Sequence, residues 1–125
     1  MTHTPDNVVV WTEIPVRDLD AAITFYNTVF DLGIAKDEGS PMPMATFPNK
    51  EGSVAGHLYP GEPAAAGTGP TIHMIVPDTL EASLKRFEAA GGTPKPGIIA
   101  LPFGRFGYAT DPDGNSIGLY QPNAA

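Results

Sequence analysis

The chain has 125 residues, 42% of them hydrophobic and none of them cysteine, so it has the size and apolar share of one folded domain without disulfides, thiolate nucleophiles or cysteine-held metals. Seven Lys and Arg stand against fourteen Asp and Glu, a formal charge of −7 with no basic cluster, which argues against nucleic acid or an anionic membrane surface as a partner. The start "MTHTPDN" lacks a basic stretch followed by an apolar one, and no apolar run approaches the roughly 18–20 residues of a membrane helix, so a cytoplasmic protein is expected.

In chain order, "VVVWTEIPV" (Val8–Val16) is rich in β-branched residues and reads as a strand. In "RDLDAAITFYNTVFDLG", Leu19, Ala22, Ile23, Tyr26, Val29 and Phe30 recur at helical spacing, with Asp18 as N-cap and Gly33 as stop. Short strands are expected at Ile34–Lys36, Met44–Phe47 and Val54–Tyr59, punctuated by Gly and Pro. "PGEPAAAGTGP" is small, flexible and featureless and reads as a linker.

Then the pattern restarts. "TIHMIVPD" is a strand, and "TLEASLKRFEAAGG" is a helix with Leu80, Leu84 and Phe87 on one side and Gly91 or Gly92 at its end. Strands are expected again at Pro94–Leu101, Arg105–Thr110 and Ser116–Tyr120. Strand, helix, three strands, twice over, is an internal repeat in which each half offers an apolar sheet face for the other to cover. The fold class is therefore α+β. One domain over residues 1–125 is expected, with module one at about 8–60, a linker at 61–69 and module two at about 70–121.

The last strand raises a question. "DPDGN" is a strong turn signal, and Ser116 to Tyr120 alternate as a strand should, yet Gly118 sits at its centre. Glycine there marks a bulge, a close approach or a missing side chain.

Three stretches, "EIPVRDLDAAITFYNTVFDLG", "VPDTLEASLKRFEAAGG" and "DPDGNSIGLYQ", make the chain resemble the vicinal oxygen chelate superfamily. That group includes glyoxalase I, extradiol dioxygenases, fosfomycin-resistance enzymes and bleomycin-resistance proteins. The resemblance implies a pair of βαβββ modules forming an open, barrel-like curved sheet, and a homodimer that completes the cavities. It also implies, in metal-dependent members, up to four inward-pointing metal ligands that support Lewis-acid chemistry on a vicinal-oxygen substrate. On this sequence the last of those ligand positions, usually Glu, falls on Gly118. The first falls on Trp11 and the one opening module two falls on Thr71, so that only His57 in "GHLYPG" is of ligand type. One donor does not make a metal site.

The candidate ligand-binding residues are Trp11, His57, His73, Tyr120, Phe103 and Arg105. Trp11 offers a stacking wall, weighed against a core tryptophan. His57 offers a hydrogen-bond donor, weighed against an edge-strand histidine in solvent. Tyr120 shares a strand face with Gly118, while Phe103 and Arg105 lie in a glycine-rich stretch, where the plain alternative is a hairpin with a surface Arg. A metal site shifted by one pleat would use Glu13, His57 and His73, a two-His-one-carboxylate set suited to zinc, nickel or iron.

Two readings follow. One is a metal-free, cofactor-free protein that binds a small apolar or aromatic molecule in a cup. The other is a metal-dependent lyase or isomerase of glyoxalase type, or a dioxygenase, built on Glu13, His57 and His73. A third possibility, a closed domain acting only through its dimer surface, has no positive support in the sequence.

Overall fold

The computed structural model describes residues 2–39 and 42–123. Its elements are β1 (Trp11–Val16), α1 (Leu19–Phe30), β2 (Ala45–Thr46), β3 (Ala55–Pro60), β4 (Ile72–Ile75), α2 (Leu80–Ala89), β5 (Thr93–Pro94), β6 (Ile99–Leu101), β7 (Gly104–Thr110) and β8 (Ser116–Pro122). Two mixed sheets result. The first has the order β1-β3-β2, and the second β4-β8-β7-β5 with β6 also on β7. In each, the strand before the helix lies parallel to the last strand of its module, β1 on β3 and β4 on β8. Each half thus has the strand–helix–strands order read from the sequence, with two strands after the helix in the first and four in the second, in an α+β fold.

Three local expectations are corrected. Ile34–Lys36, expected as a strand, forms none, and a single bridge between Asp37 and Met44 follows it. Helix α1 stops before Gly33, because Asp31 takes the left-handed cap at φ 55° and donates its N–H to Asn27 O at 2.9 Å. The Asn27 side chain then holds the departing chain through Ile34 N at 2.7 Å and Ile34 O at 2.9 Å. Pro94–Leu101 divides into β5 and β6, both paired to β7.

Each helix begins on its expected type of cap. Asp18 accepts from Ala21 N at 3.0 Å and Thr79 accepts from Ala82 N at 3.2 Å, satisfying amides that have no intrahelical partner. Ile14, Val16 and Leu58 from the first sheet, and Ile117 and Leu119 from the second, pack with Leu19, Tyr26, Val29, Leu80 and Phe87 of the helices into one core. Alternation along the strands therefore leaves the opposite face of each sheet away from the helices.

The two modules are tied by the "DPDGN" stretch that the sequence signals as a turn. Asp111 is buried, and its carboxylate accepts four hydrogen bonds. Oδ1 receives Asp113 N at 2.9 Å and Asn115 N at 2.8 Å, and Oδ2 receives Asn115 Nδ2 at 3.0 Å and the Tyr26 hydroxyl at 2.6 Å. Tyr26 belongs to α1, so this bond joins module one to module two. Asn115 Nδ2 also donates to Pro15 O at 2.9 Å, and Arg17 N donates to Asp113 Oδ1 at 3.0 Å. Burial and the adjacent Asp111 carboxylate hold the Tyr26 hydroxyl well above the ordinary tyrosine pKa, so it remains a proton donor.

Arg86 makes a second tie. Its guanidinium forks onto Asp78 at 2.8 and 2.9 Å and also donates to Val29 O, an unsatisfied carbonyl in the last turn of α1, at 3.2 and 3.0 Å. The Arg86 hydrogen bond, followed by that of Ser83, lowers the Asp78 pKa below its usual 3.8. A carboxyl lowered on folding contributes stability above its unfolded pKa and loses it as pH falls through the folded value. Arg86→Met is therefore expected to unfold at lower denaturant than wild type at pH 7. The gap should narrow below about pH 4, as acid titration at fixed denaturant would read.

Candidate functional site

On β1, alternation buries Ile14 and Val16 and turns Trp11, Glu13 and Pro15 to the open face. On β3 the same alternation turns out Ala55, His57 and Tyr59. The parallel register sets Glu13 beside His57 and Trp11 beside Ala55. Trp11 Nε1 reaches diagonally and donates to His57 Nδ1 at 3.0 Å. The Tyr59 ring stands edge-on to His57 at 5.9 Å. This close strand pairing depends on Gly56, where a methyl group would overlap the Thr12 carbonyl oxygen.

The open face of the second sheet is also aromatic. His73, Gly118 and Tyr108 lie in one row across β4, β8 and β7, and Phe106 lies beside Tyr120 in the next. The His73 imidazole covers Gly118, and any β-carbon on that glycine would overlap its ring. Phe106 and Tyr108 flank the same ring at 4.9 and 5.9 Å. The gap in the last strand is thus filled by a histidine from β4. Tyr120 donates its hydroxyl to Phe103 O at 3.2 Å, and a pocket of about 360 Å³ is bounded by His73, Leu101, Phe103, Phe106 and Tyr120.

Between the edges of β1 and β4 runs a wider cleft of about 600 Å³, whose walls include Trp11, Glu13, Thr71 and His73. Of the residues expected from sequence, Trp11 and His57 are joined directly, His73, Phe103 and Tyr120 share one pocket, and the cleft links the Trp11 and His73 walls. Arg105 does not join them. It lies on the helix side of β7, forked onto Glu81 at 2.6 and 2.6 Å and bonded to Gln121 Oε1 at 2.9 Å. The Arg105 hydrogen bond lowers the Glu81 pKa. Tyr59 is an addition, and Phe106 and Tyr108 come from the same glycine-rich stretch, "PFGRFGYAT", as Phe103 and Arg105. The signal for Tyr59, Phe106 and Tyr108 is the two-residue spacing of aromatic and His side chains in "HLY" and "FGY", which puts each pair on one strand face.

A divalent metal is tested by the donors present. Thr71 spends its hydroxyl on Ser116 Oγ at 2.6 Å, and among the described residues no group of three His, Asp or Glu side chains converges to hold an ion. Glu13 and His57 are neighbours, while His73 belongs to the other sheet. The polarity at His57 is also unfavourable. A metal-binding imidazole ordinarily donates its second N–H outward, whereas Trp11 Nε1–H is a donor only and meets a lone pair on Nδ1. The residues as arranged do not fit the group.

Gly118→Ala is expected to turn the His73 ring off the sheet, because an exposed side chain can rotate away. Stability should change by less than about 1 kcal/mol. The His73 ring protons should lose the ring-current shifts of Phe106 and Tyr108, as proton NMR would read.

The family model described as Glyoxalase/Bleomycin resistance protein/Dioxygenase superfamily matches residues 8–119. The Mycobacterium bovis protein named "Putative glyoxylase CFP32" is 28% identical over 122 residues, covering 90% of this chain. The chain spans 45% of that relative's length. TnmS3 from Streptomyces sp. CB03234, an antibiotic binding protein, is 26% identical at a TM-score of 0.64, covering 97% of this chain and 100% of that one. The fosfomycin resistance protein FosX from Listeria monocytogenes shares the fold at a TM-score of 0.71 and 17% identity, over 96% of this chain and 94% of its own.

Proposed function

The chain belongs to the Glyoxalase/Bleomycin resistance protein/Dioxygenase superfamily, and from that premise we propose that it binds a small apolar or aromatic molecule without a metal. The observation carrying this reading is the His73 imidazole over Gly118. The place where the family resemblance puts a metal-binding carboxylate is filled by a ring that belongs to an aromatic wall. A pocket lined by apolar rings with a few polar atoms suits an organic ligand. TnmS3, named for binding an antibiotic, lends the same reading support.

The cups are completed by a second copy of the chain. Trp11, Ile75, Phe103 and Tyr108 on the open faces are 45%, 64%, 63% and 38% exposed, an apolar surface that calls for a cover. The family resemblance supplies a homodimer as that cover.

The metal-dependent alternative on Glu13, His57 and His73 is favoured by one observation, the pairing of Glu13 with His57 across β1 and β3. It is opposed by the direction of the Trp11–His57 bond.

Trp11 is the single tryptophan, so its emission reports the site alone. Titration with planar aromatic compounds in the presence of a chelator is expected to give saturable quenching at micromolar concentration. Quenching that is linear and unsaturable throughout such a series would contradict the reading.

A further inference from the structure

Resting on that ligand-binding reading, the geometry points to His57 as a hydrogen-bond donor of fixed tautomer, set by Trp11, that selects planar aromatic ligands carrying a carbonyl or similar acceptor oxygen. The argument begins with what each group can do. Indole nitrogen donates and never accepts, so the 3.0 Å contact fixes Nδ1 of His57 as the acceptor. A neutral imidazole that accepts on Nδ1 carries its proton on Nε2.

That N–H has no protein acceptor among the described residues. Among the described residues Trp11 supplies the only hydrogen bond to the His57 ring, and Tyr59 meets it through ring contact. His57 is half-buried on the open face, between Trp11 on one side and Tyr59 on the other. Glu13 is its register neighbour but makes no hydrogen bond to it. A flat molecule lying against Trp11 therefore has beside it an imidazole N–H that no protein acceptor among the described residues occupies. The acceptor nearest in register, the Glu13 carboxylate, is held by no hydrogen bond among the described residues, so it is not fixed as the His57 proton is. A ligand that presents only donors leaves the His57 proton unpaired, and one that presents an acceptor satisfies it. Trp11 thus has two roles, as stacking surface and as the positioning residue for the His57 proton.

9-Fluorenone and fluorene form a matched pair of probes, with the same flat skeleton differing by one carbonyl. Followed by Trp11 emission, fluorenone is expected to bind wild type about tenfold more tightly than fluorene, the magnitude of one net hydrogen bond. In His57→Phe, which keeps a planar ring and loses the donor, the two affinities should converge. Side-chain 15N NMR of wild type at pH 7.5 should show His57 protonated on Nε2. Equal affinities in wild type, or a preference for fluorenone that survives in His57→Phe, would overturn the inference. Failure of both probes to bind would instead count against the ligand-binding reading itself. The NMR arm would still decide the tautomer, and a proton on Nδ1 would overturn the role given to Trp11.

Discussion

Asp111→Ala is expected to lower stability by about 3–5 kcal/mol, because several donors lose their acceptor at about 1–3 kcal/mol for each one left buried. The substitution leaves four donors without their acceptor: the buried Tyr26 hydroxyl, the amides of Asp113 and Asn115, and the Asn115 side chain. The loss falls on the turn that also bonds β1 through Pro15 O, so the contact between the two modules should loosen with it. For a domain of this size the melting temperature should fall by roughly 10–20 °C, at about 3–5 °C per kcal/mol. Tyr26→Phe removes a single charge-assisted bond and should lower stability by about 1.5–3 kcal/mol. Denaturant unfolding of both variants and of the double variant reads the coupling. A loss below about 1 kcal/mol for Asp111→Ala would show that the turn does not hold the modules.

Gly56→Ala carries the second large effect, about 3 kcal/mol, at the upper end of what overpacking costs. Gly56 pairs with Thr12 in the parallel ladder, and the added methyl group would press on the Thr12 carbonyl oxygen. That oxygen is backbone, so relief requires β1 and β3 to part. Trp11 and His57 stand one residue away on those strands, and their 3.0 Å bond should be lost with the ladder. Thermal unfolding should fall by about 10 °C, and the Trp11 indole N–H resonance should move toward the position of a solvent-exposed indole. The contrast with Gly118 is instructive. Both glycines lie under another group, but at Gly118 that group is an exposed imidazole free to turn, so the same one-carbon addition changes the site and spares the fold.

Much of this architecture is legible in the residues. The cap at Asp18, helical spacing from Leu19 to Phe30, and the repeated strand–helix–strands order are local signals, and local signals survive into the structure. The short strands were harder to read. Ile34–Lys36 has strand-like composition, but the Asn27 side chain anchors its first residue and the first bridge comes only after it, at Asp37. Gly33 looked like the helix stop because glycine favours positive φ, yet Asp31 adopts that conformation two residues earlier.

The site was half legible. Strand alternation placed Trp11, His57, His73 and Tyr120 on the open faces, and Gly118 announced a vacancy. What no spacing could convey was its occupant, because His73 reaches Gly118 from a strand more than forty residues away in sequence, through parallel pairing of β4 with β8. Arg105 illustrates the converse. Its place beside Phe103 in sequence suggested an anion contact, but one pleat of alternation turns it toward α2, where Glu81 and Gln121 satisfy it. The direction of the Trp11–His57 bond was likewise beyond sequence, since it depends on the diagonal reach between neighbouring strands.

The central claim is that rings and an indole-held histidine have replaced the metal chemistry of the superfamily in this chain. Its most direct test is elemental analysis of the purified, untagged protein, followed by equilibrium dialysis against zinc, nickel, iron(II) and manganese. The account predicts well under one metal per chain and no rise in melting temperature at micromolar metal. One metal per chain, abolished by His57→Ala, would contradict it and establish the site on Glu13, His57 and His73 in its place.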